Sequence, residues 1–287
     1  MIKIKHQGRF GNRLLTTIGI SILSRKTDLK VLNYDNRCLR FGLQVHQGDR
    51  SFETLKYIGD DDVLRLLDKV ELIEYGLECD GLFQSREFIS TYEEEIKQTF
   101  VNLIYSDDFM DDLFVHVRLG NQVHLNPGFN YYQNCINQIN FKRGFISSDS
   151  PNNKIVQDLI TMNNLTLINL PAEEVISFGK NFGNLILSNG TFSWWIGFLS
   201  KANHVFYPEM SRKWHGDIFI DPTWNGVKIR RSLRRAISDF LSDLVKVRWS
   251  LRLALSRNLW RRWPVLSRNL RRLKLWVRSR RGRAGAS

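Results

Sequence analysis

The stretch Ile186-Leu187-Ser188-Asn189-Gly190-Thr191-Phe192-Ser193-Trp194-Trp195 decides the fold. An apolar run ends in a turn rich in hydroxyl and amide groups, and two tryptophans follow. That order reads as a buried strand, a polar turn at its carboxyl end and the start of an aromatic-rich helix. In open α/β sheets, ligands bind in the crevice at the carboxyl ends of the strands. Ser188, Thr191 and Ser193 can donate to phosphate oxygens, and Gly190 allows close backbone approach. Taken alone, the stretch reads as well as an ordinary strand-turn-helix corner with a Trp pair in the core, because Ser, Asn and Gly are common turn residues.

Two further segments bear on that choice. The chain begins with a short strand, Met1-Ile2-Lys3-Ile4-Lys5, then Gly8-Arg9-Phe10-Gly11-Asn12-Arg13, then an apolar helix from Leu14 to Leu23. Strand, glycine loop and helix present backbone N–H groups and a helix N-terminus to an anion. The spacing is not G-x-G-x-x-G, so the dinucleotide fingerprint is absent. In Leu113-Phe114-Val115-His116-Val117-Arg118-Leu119-Gly120-Asn121, His116 and Arg118 alternate with apolar residues and share one face of a strand. An Arg at a strand's carboxyl end, just before a Gly turn, is placed to fork onto a phosphate. The competing reading is a structural Arg paired with a carboxylate.

Outward from these segments the pattern alternates. Strands are expected near 1–5, 30–34, 114–118, 143–147, 166–170, 184–188 and 204–207. Helices are expected over 88–105, 131–139, 153–162, 172–181 and 192–200, with helix then strand between 60 and 80. Alternating β and α implies parallel sheets with right-handed crossovers. The acidic run Ser106 to Asp112 reads as a linker. The expected organisation is therefore α/β, with a first lobe over 1–112, a second lobe over 113–227 and an appendage over 228–287.

The three segments, in this order, resemble the bacterial α-1,2-fucosyltransferases and their relatives among the protein O-fucosyltransferases. Gly8-Arg9-Phe10-Gly11-Asn12-Arg13 resembles that family's G-G-L-G-N-Q loop. His116-Val117-Arg118-Leu119-Gly120-Asn121 resembles H-x-R-R-G-D, and Ser188 to Trp195 resembles S-N-S-x-F-S-W-W. Gly81-Leu82-Phe83-Gln84-Ser85, Asn130-Tyr131-Tyr132 and Ile146-Ser147-Ser148-Asp149 are secondary echoes. Coverage is roughly residues 1 to 215. Departures are Leu119 for the second Arg, Asn121 for Asp and Arg13 for Gln.

The resemblance implies a GT-B-like fold, two Rossmann-like lobes facing a cleft, with the acceptor on the first lobe and the nucleotide-sugar donor on the second. It implies inverting transfer of L-fucose from GDP-fucose to a glycan hydroxyl, in α-1,2 linkage, on a polysaccharide or O-antigen type of acceptor. By the same likeness, Arg118 and His116 are the catalytic residues. Gly11, Asn12, Asp149, Ser188, Asn189, Thr191, Phe192 and Ser193 bind the donor, Asp149 through the guanosine. No metal or other cofactor is expected. The departures keep two alternatives open: a catalytically inactive GDP-sugar or glycan-binding protein, or a transferase for another nucleotide sugar.

Composition narrows the remaining classes. With 12 % aromatic and 43 % hydrophobic residues among 287, the chain has the material for a sizeable core and is not a disordered polymer. Its three cysteines, Cys38, Cys79 and Cys135, are widely spaced, which indicates neither a zinc site nor a disulfide framework. Asp60-Asp61-Asp62 invites a cation reading, but reads first as the capping start of a helix. His6, His46, His124, His204 and His215 have no ligand-like spacing.

The net charge of +13 is unevenly placed: residues 228–287 hold 19 Lys and Arg against Asp239 and Asp243. There Phe240, Leu244, Val247, Leu251, Leu255 and Leu259 recur at helical spacing, with Trp249, Trp260, Trp263 and Trp276 among the arginines. A basic amphipathic helix with Trp and Leu reads as a binder of anionic membrane surfaces. The regular apolar stripe favours this over nucleic acid. With no secretory signal visible, a cytoplasmic protein at the inner face of a membrane is expected, with a lipid-linked oligosaccharide as acceptor.

Overall fold

The computed structural model describes residues 1–68, 73–100, 104–120, 125–209, 218–219 and 221–229. Asn121, His124, His215 and the whole amphipathic appendage beyond residue 229 lie outside the described residues.

The chain forms two parallel sheets. The first contains β1 (Ile2–Ile4), β2 (Val31–Leu32), β3 (Leu55–Ile58) and β4 (Gly76–Cys79), in the order β2-β1-β4-β3. Its helices are α1 (Phe10–Thr27), α2 (Asn36–Arg40), α3 (Asp60–Asp68), α4 (Arg86–Thr91) and α5 (Glu93–Gln98). The second sheet alternates strictly at first: β5 (Leu113–Val117), α6 (Phe129–Ile136), β6 (Gly144–Ser148), α7 (Lys154–Asn163), β7 (Leu165–Ile168), α8 (Ala172–Gly179), β8 (Asn184–Ile186) and α9 (Thr191–Phe198). It closes with β9 (His204–Glu209) and β10 (Asn225–Lys228).

The order of the second sheet is β10-β9-β8-β5-β6-β7. The chain therefore steps outward from β5 to β7, returns to the other side of β5, and steps outward again from β8 to β10. This is the 3-2-1-4-5-6 order of the Rossmann fold, and its topological switch point lies between β5 and β8. All five residues of β5 are buried, as expected for a central strand covered on both faces.

Helix α1 joins the two halves. Fourteen of its 18 residues are buried, which marks a helix enclosed on nearly all sides. One apolar cluster runs from Leu14, Leu15 and Ile18 of α1 to Phe114, Trp194 and Trp195 of the second half. The expected division at 112/113 thus separates the sheets, while residues Met1–Ile229 form one compact unit. The smaller apolar cluster, around Val115, Val117, Tyr132 and Ile146, lies in the second half.

Several local expectations need correction. The single helix over 88–105 is two short helices, because the chain turns at Tyr92 and α5 ends at Gln98. Phe100 then pairs by a bridge with Leu43 and sets its ring against Trp195. The run 106–112 is no free linker. Phe109 packs on Phe178 and Phe182, and buried Asp112 takes the Arg143 guanidinium at 2.5 Å. Asp60 opens α3 as expected, and its carboxylate also accepts from the Phe83 N–H at 2.7 Å. Among the described residues no helix is long and apolar enough to cross a membrane.

Candidate functional site at the strand switch point

Three loops leave the carboxyl ends of β5, β6 and β8 side by side. They carry Arg118 to Gly120, Asp149, and Ser188 to Gly190. The N-terminus of α1, from the first half, packs directly onto the N-terminus of α9. The contact is close: a Cβ on Gly11 would lie 2.7 Å from the Phe192 nitrogen. The Trp195 indole donates to the Gly11 carbonyl at 2.9 Å, and the Thr191 hydroxyl donates to Asn12 Oδ1 at 2.5 Å. Neither helix has a side-chain cap. Two positive dipole ends therefore meet at one place.

Arg118 lies half-buried beside them. Its backbone carbonyl accepts from Asn126 Nδ2 at 2.8 Å. Among the described residues its guanidinium makes no hydrogen bond and no ion pair. Gly190 makes room for it: a Cβ there would lie 2.2 Å from Arg118 Nη1, and φ of +121° is itself a glycine conformation. The glycine that the sequence suggested for backbone approach thus admits an arginine. Burial lowers the Arg118 pKa, Asp149 opposes that shift and Arg9 adds to it.

His116 sits behind Arg118, buried, with its ring tilted 35° to that of Phe192 at 5.0 Å between centroids. Its Nδ1 lies 2.5 Å from Ser193 Oγ, and that hydroxyl accepts from the Ser188 N–H at 3.2 Å. The Ser193 hydroxyl thus ties the β8 turn to the imidazole, with the donor of that pair set by the ring tautomer. Burial drives the His116 pKa down to about 4, with Asp149 opposing and Arg118 reinforcing the shift. The ring is therefore neutral near pH 7.

A buried relay fixes the β8 turn from below. Tyr132 donates to Ser188 Oγ at 3.0 Å, Asn126 donates to the Tyr132 oxygen at 3.0 Å, and Tyr131 donates to the Leu187 carbonyl at 2.8 Å. Ser188 and Ser193 are fully enclosed, so they hold the turn and the histidine in place. Asn189 differs. It is 8 % exposed, and among the described residues its buried Nδ2 donor has no partner, a costly state for an amide.

Asp149 is engaged on both oxygens. Oδ1 accepts from the Leu119 and Gly120 N–H groups at 2.8 and 3.0 Å, and Oδ2 pairs with Arg9 of the first half at 3.0 Å. It anchors the loop after β5. Leu119 points into the apolar cluster of the second half, 1 % exposed. Arg13 is paired with Asp35 at 2.8 Å. Sequence reasoning placed Arg118, His116, Gly11, Asn12, Asp149, Ser188, Asn189, Thr191, Phe192 and Ser193 together, and the fold brings them together. It missed Arg9 and Asn126. Only the position of Arg9, just ahead of the first helix, could have signalled it.

Among the described residues no group of three or more His, Cys, Asp or Glu is placed to hold a metal ion. Cys38, Cys79 and Cys135 are free and buried, and burial pushes each thiol pKa up to about 12.

No family model matches the sequence. No curated protein matches it either. Among solved structures, E. coli heptosyltransferase WaaC with ADP aligns with 85 % of this chain and 98 % of that one, at a TM-score of 0.39 and 9 % identity. Likeness at that level bears on neither the site nor its chemistry.

Proposed function

We propose that this chain is an inverting glycosyltransferase that moves L-fucose from GDP-fucose to a glycan hydroxyl, in α-1,2 linkage. One observation carries the reading: the Arg118 guanidinium, with no hydrogen bond or ion pair among the described residues, stands at the switch point of a Rossmann-ordered sheet, beside the uncapped N-terminus of α9. A half-buried cation that no carboxylate pairs with directly among the described residues, next to a positive helix end, suits a phosphate-bearing ligand. The choice of GDP and fucose rests on the resemblance of the three sequence segments. Two parallel α/β lobes accord with a GT-B plan.

The chemistry follows from the charges. An acceptor hydroxyl oxygen attacks the anomeric carbon from the face opposite the diphosphate, its proton passes to solvent water, the C–O bond to the diphosphate breaks with its electron pair going to the diphosphate, and the β linkage becomes α. Charge grows on the leaving diphosphate as that bond lengthens. Arg118 and the first-turn N–H groups of α9 neutralise it, preorganised in a site of restricted water. Neutral His116, held by Ser193, lines the site without adding a second full charge. In this reading Phe192 and Asn189 line the donor pocket, while Ser188, Ser193, Thr191, Asn12 and Gly11 fix its walls.

A second reading is a protein that binds nucleotide sugar without turnover. Leu119, buried in the core where the resembled family has a second Arg, favours it, because the site then has one cation fewer. Isothermal titration with GDP, GDP-fucose, GDP-mannose and UDP-galactose, with and without EDTA, separates these. Selective GDP and GDP-fucose binding that survives EDTA, followed by fucose transfer in an acceptor screen, is the expected result. Binding without any transfer supports the second reading. A preference for another nucleotide corrects the donor, and no nucleotide binding by folded protein removes both readings.

We also propose that residues 228–287 hold the enzyme on the anionic inner face of a membrane, where a lipid-linked glycan is the acceptor. Full-length protein should co-sediment with liposomes containing phosphatidylglycerol, and the fragment ending at Ile229 should not. Equal partition of the two would refute this.

A further inference from the structure

We propose that Arg9 is the second cation of the site, and that its guanidinium leaves Asp149 for the ligand's phosphates when a nucleoside diphosphate binds. The inference rests on the reading of the switch point as a diphosphate site. It starts from a shortage of charge: a diphosphate ester brings at least two negative charges, and among the described residues the three loops of the second half bring one cation to the switch point, Arg118. The next residue, Leu119, is committed to the core.

Arg9 comes from the other half of the molecule. It is the residue at which α1 begins, and its side chain does not cap that helix. Its Nη1 lies 3.0 Å from Asp149 Oδ2, and a Cβ on Gly120 would lie 3.2 Å from the same nitrogen. Arg9 is therefore poised over the loop that carries Arg118, near enough that its charge helps lower the Arg118 pKa. Asp149 offsets part of the repulsion between these like charges, and a bound diphosphate would offset more of it.

The pairing with Asp149 is suited to exchange. Side-chain exposure is 56 % for Arg9 and 29 % for Asp149, and ion pairs open to solvent are weakly held. Asp149 does not depend on Arg9, because Oδ1 keeps the Leu119 and Gly120 N–H groups when Oδ2 is released to water. A phosphate offers the same planar fork a bidentate partner of higher charge. The orphaned Nδ2 of buried Asn189, in the adjacent turn, is an independent sign that the site lacks an acceptor group.

The test is isothermal titration of full-length protein with GDP, ADP and UDP, and with guanosine, for wild type, Arg9→Ala and Arg9→Lys. Thermal melting in parallel reports folding. Wild type should bind a diphosphate; Arg9→Ala should weaken that binding about tenfold or more and lower its salt dependence, with guanosine binding unchanged and Arg9→Lys intermediate. If wild type binds and Arg9→Ala binds within twofold of it, the inference fails while the function reading stands. A lowered melting temperature with unchanged diphosphate binding makes Arg9 a strut between the halves and likewise overturns it. If wild type binds no diphosphate, the function reading fails and this inference with it.

Discussion

Both halves of the molecule bring arginine to the carboxyl side of a parallel sheet, and they treat it in opposite ways. In the first half, Arg13 and Arg37 converge on buried Asp35 at 2.8 and 2.9 Å, and Asp35 also caps α2 through the Arg37 N–H. Burial alone would raise the Asp35 pKa, but hydrogen bonds from Arg37 and Arg13 hold it well below the usual carboxylate range. In the second half, Arg118 is half-buried with no carboxylate paired to it among the described residues, and Asp149 is turned to backbone N–H groups and to Arg9. A satisfied charge cluster of the first kind is architecture. An unsatisfied cation of the second kind is stable only because some water still reaches it, and it marks where an anion belongs.

The largest expected effect comes from removing the unsatisfied cation. Arg118→Ala should lower kcat/KM by about 3–4 kcal/mol in transition-state terms, comparable to losing an oxyanion donor, while leaving the melting temperature close to wild type. Steady-state kinetics and melting curves check this, and a stable variant with near-normal turnover would break the comparison. Next is Gly190→Ala. Its positive φ and the contact with Arg118 predict a loss on the order of 1–3 kcal/mol in urea unfolding, together with weaker GDP binding. If binding were unaffected, Gly190 would serve the turn alone.

Asp35→Ala should behave in the opposite sense to Arg118→Ala. It removes a cap and a buried acceptor, so unfolding free energy should fall by about 2 kcal/mol, with GDP affinity unchanged. The linkage has a definite sign. Because the folded pKa of Asp35 is depressed, its contribution is full above the unfolded value of about 3.9 and is lost as pH falls below it. Urea midpoints measured from pH 6 to pH 2.5 should therefore draw closer for wild type and variant toward the acid end, without meeting.

His116 gives the smallest and most specific effect. Its folded pKa of about 4 lies below the unfolded value near 6.5. Between those values the unfolded chain binds the proton and the native state does not, so native stability falls as pH drops through that window. The stability advantage of wild type over His116→Gln should narrow from pH 7 to pH 5. No break in kcat/KM near pH 6.5 should be traceable to this residue. An NMR titration placing the His116 pKa near 6.5 would contradict its buried, Ser193-bonded state.

The second half was legible in the sequence because its strands are central and its helices are short and amphipathic. Each expected element there, from Phe114 to Tyr207, is found within a few residues. The unforeseen strands are edges. Leu55–Ile58 is mostly exposed and Asn225–Lys228 contains Gly226, so neither shows the apolar run of a buried strand. The site residues were legible as a set because polar groups interrupt apolar segments at the ends of β1, β5 and β8. Their individual roles were not. Whether Ser188 faces a ligand or the Tyr132 hydroxyl, and whether Asp149 reads a base or holds a loop, depends on contacts 30 to 56 residues away in sequence.

The most direct test of the central claim is a GDP titration, in EDTA, of wild type, Arg118→Ala and Arg13→Ala side by side. The two arginines differ chiefly in whether the fold already supplies their anion. GDP binding by wild type and Arg13→Ala, with binding lost in folded Arg118→Ala, is the predicted result. Equal GDP binding by all three proteins, or none by any of them, would contradict the claim that the unpaired arginine marks the ligand site.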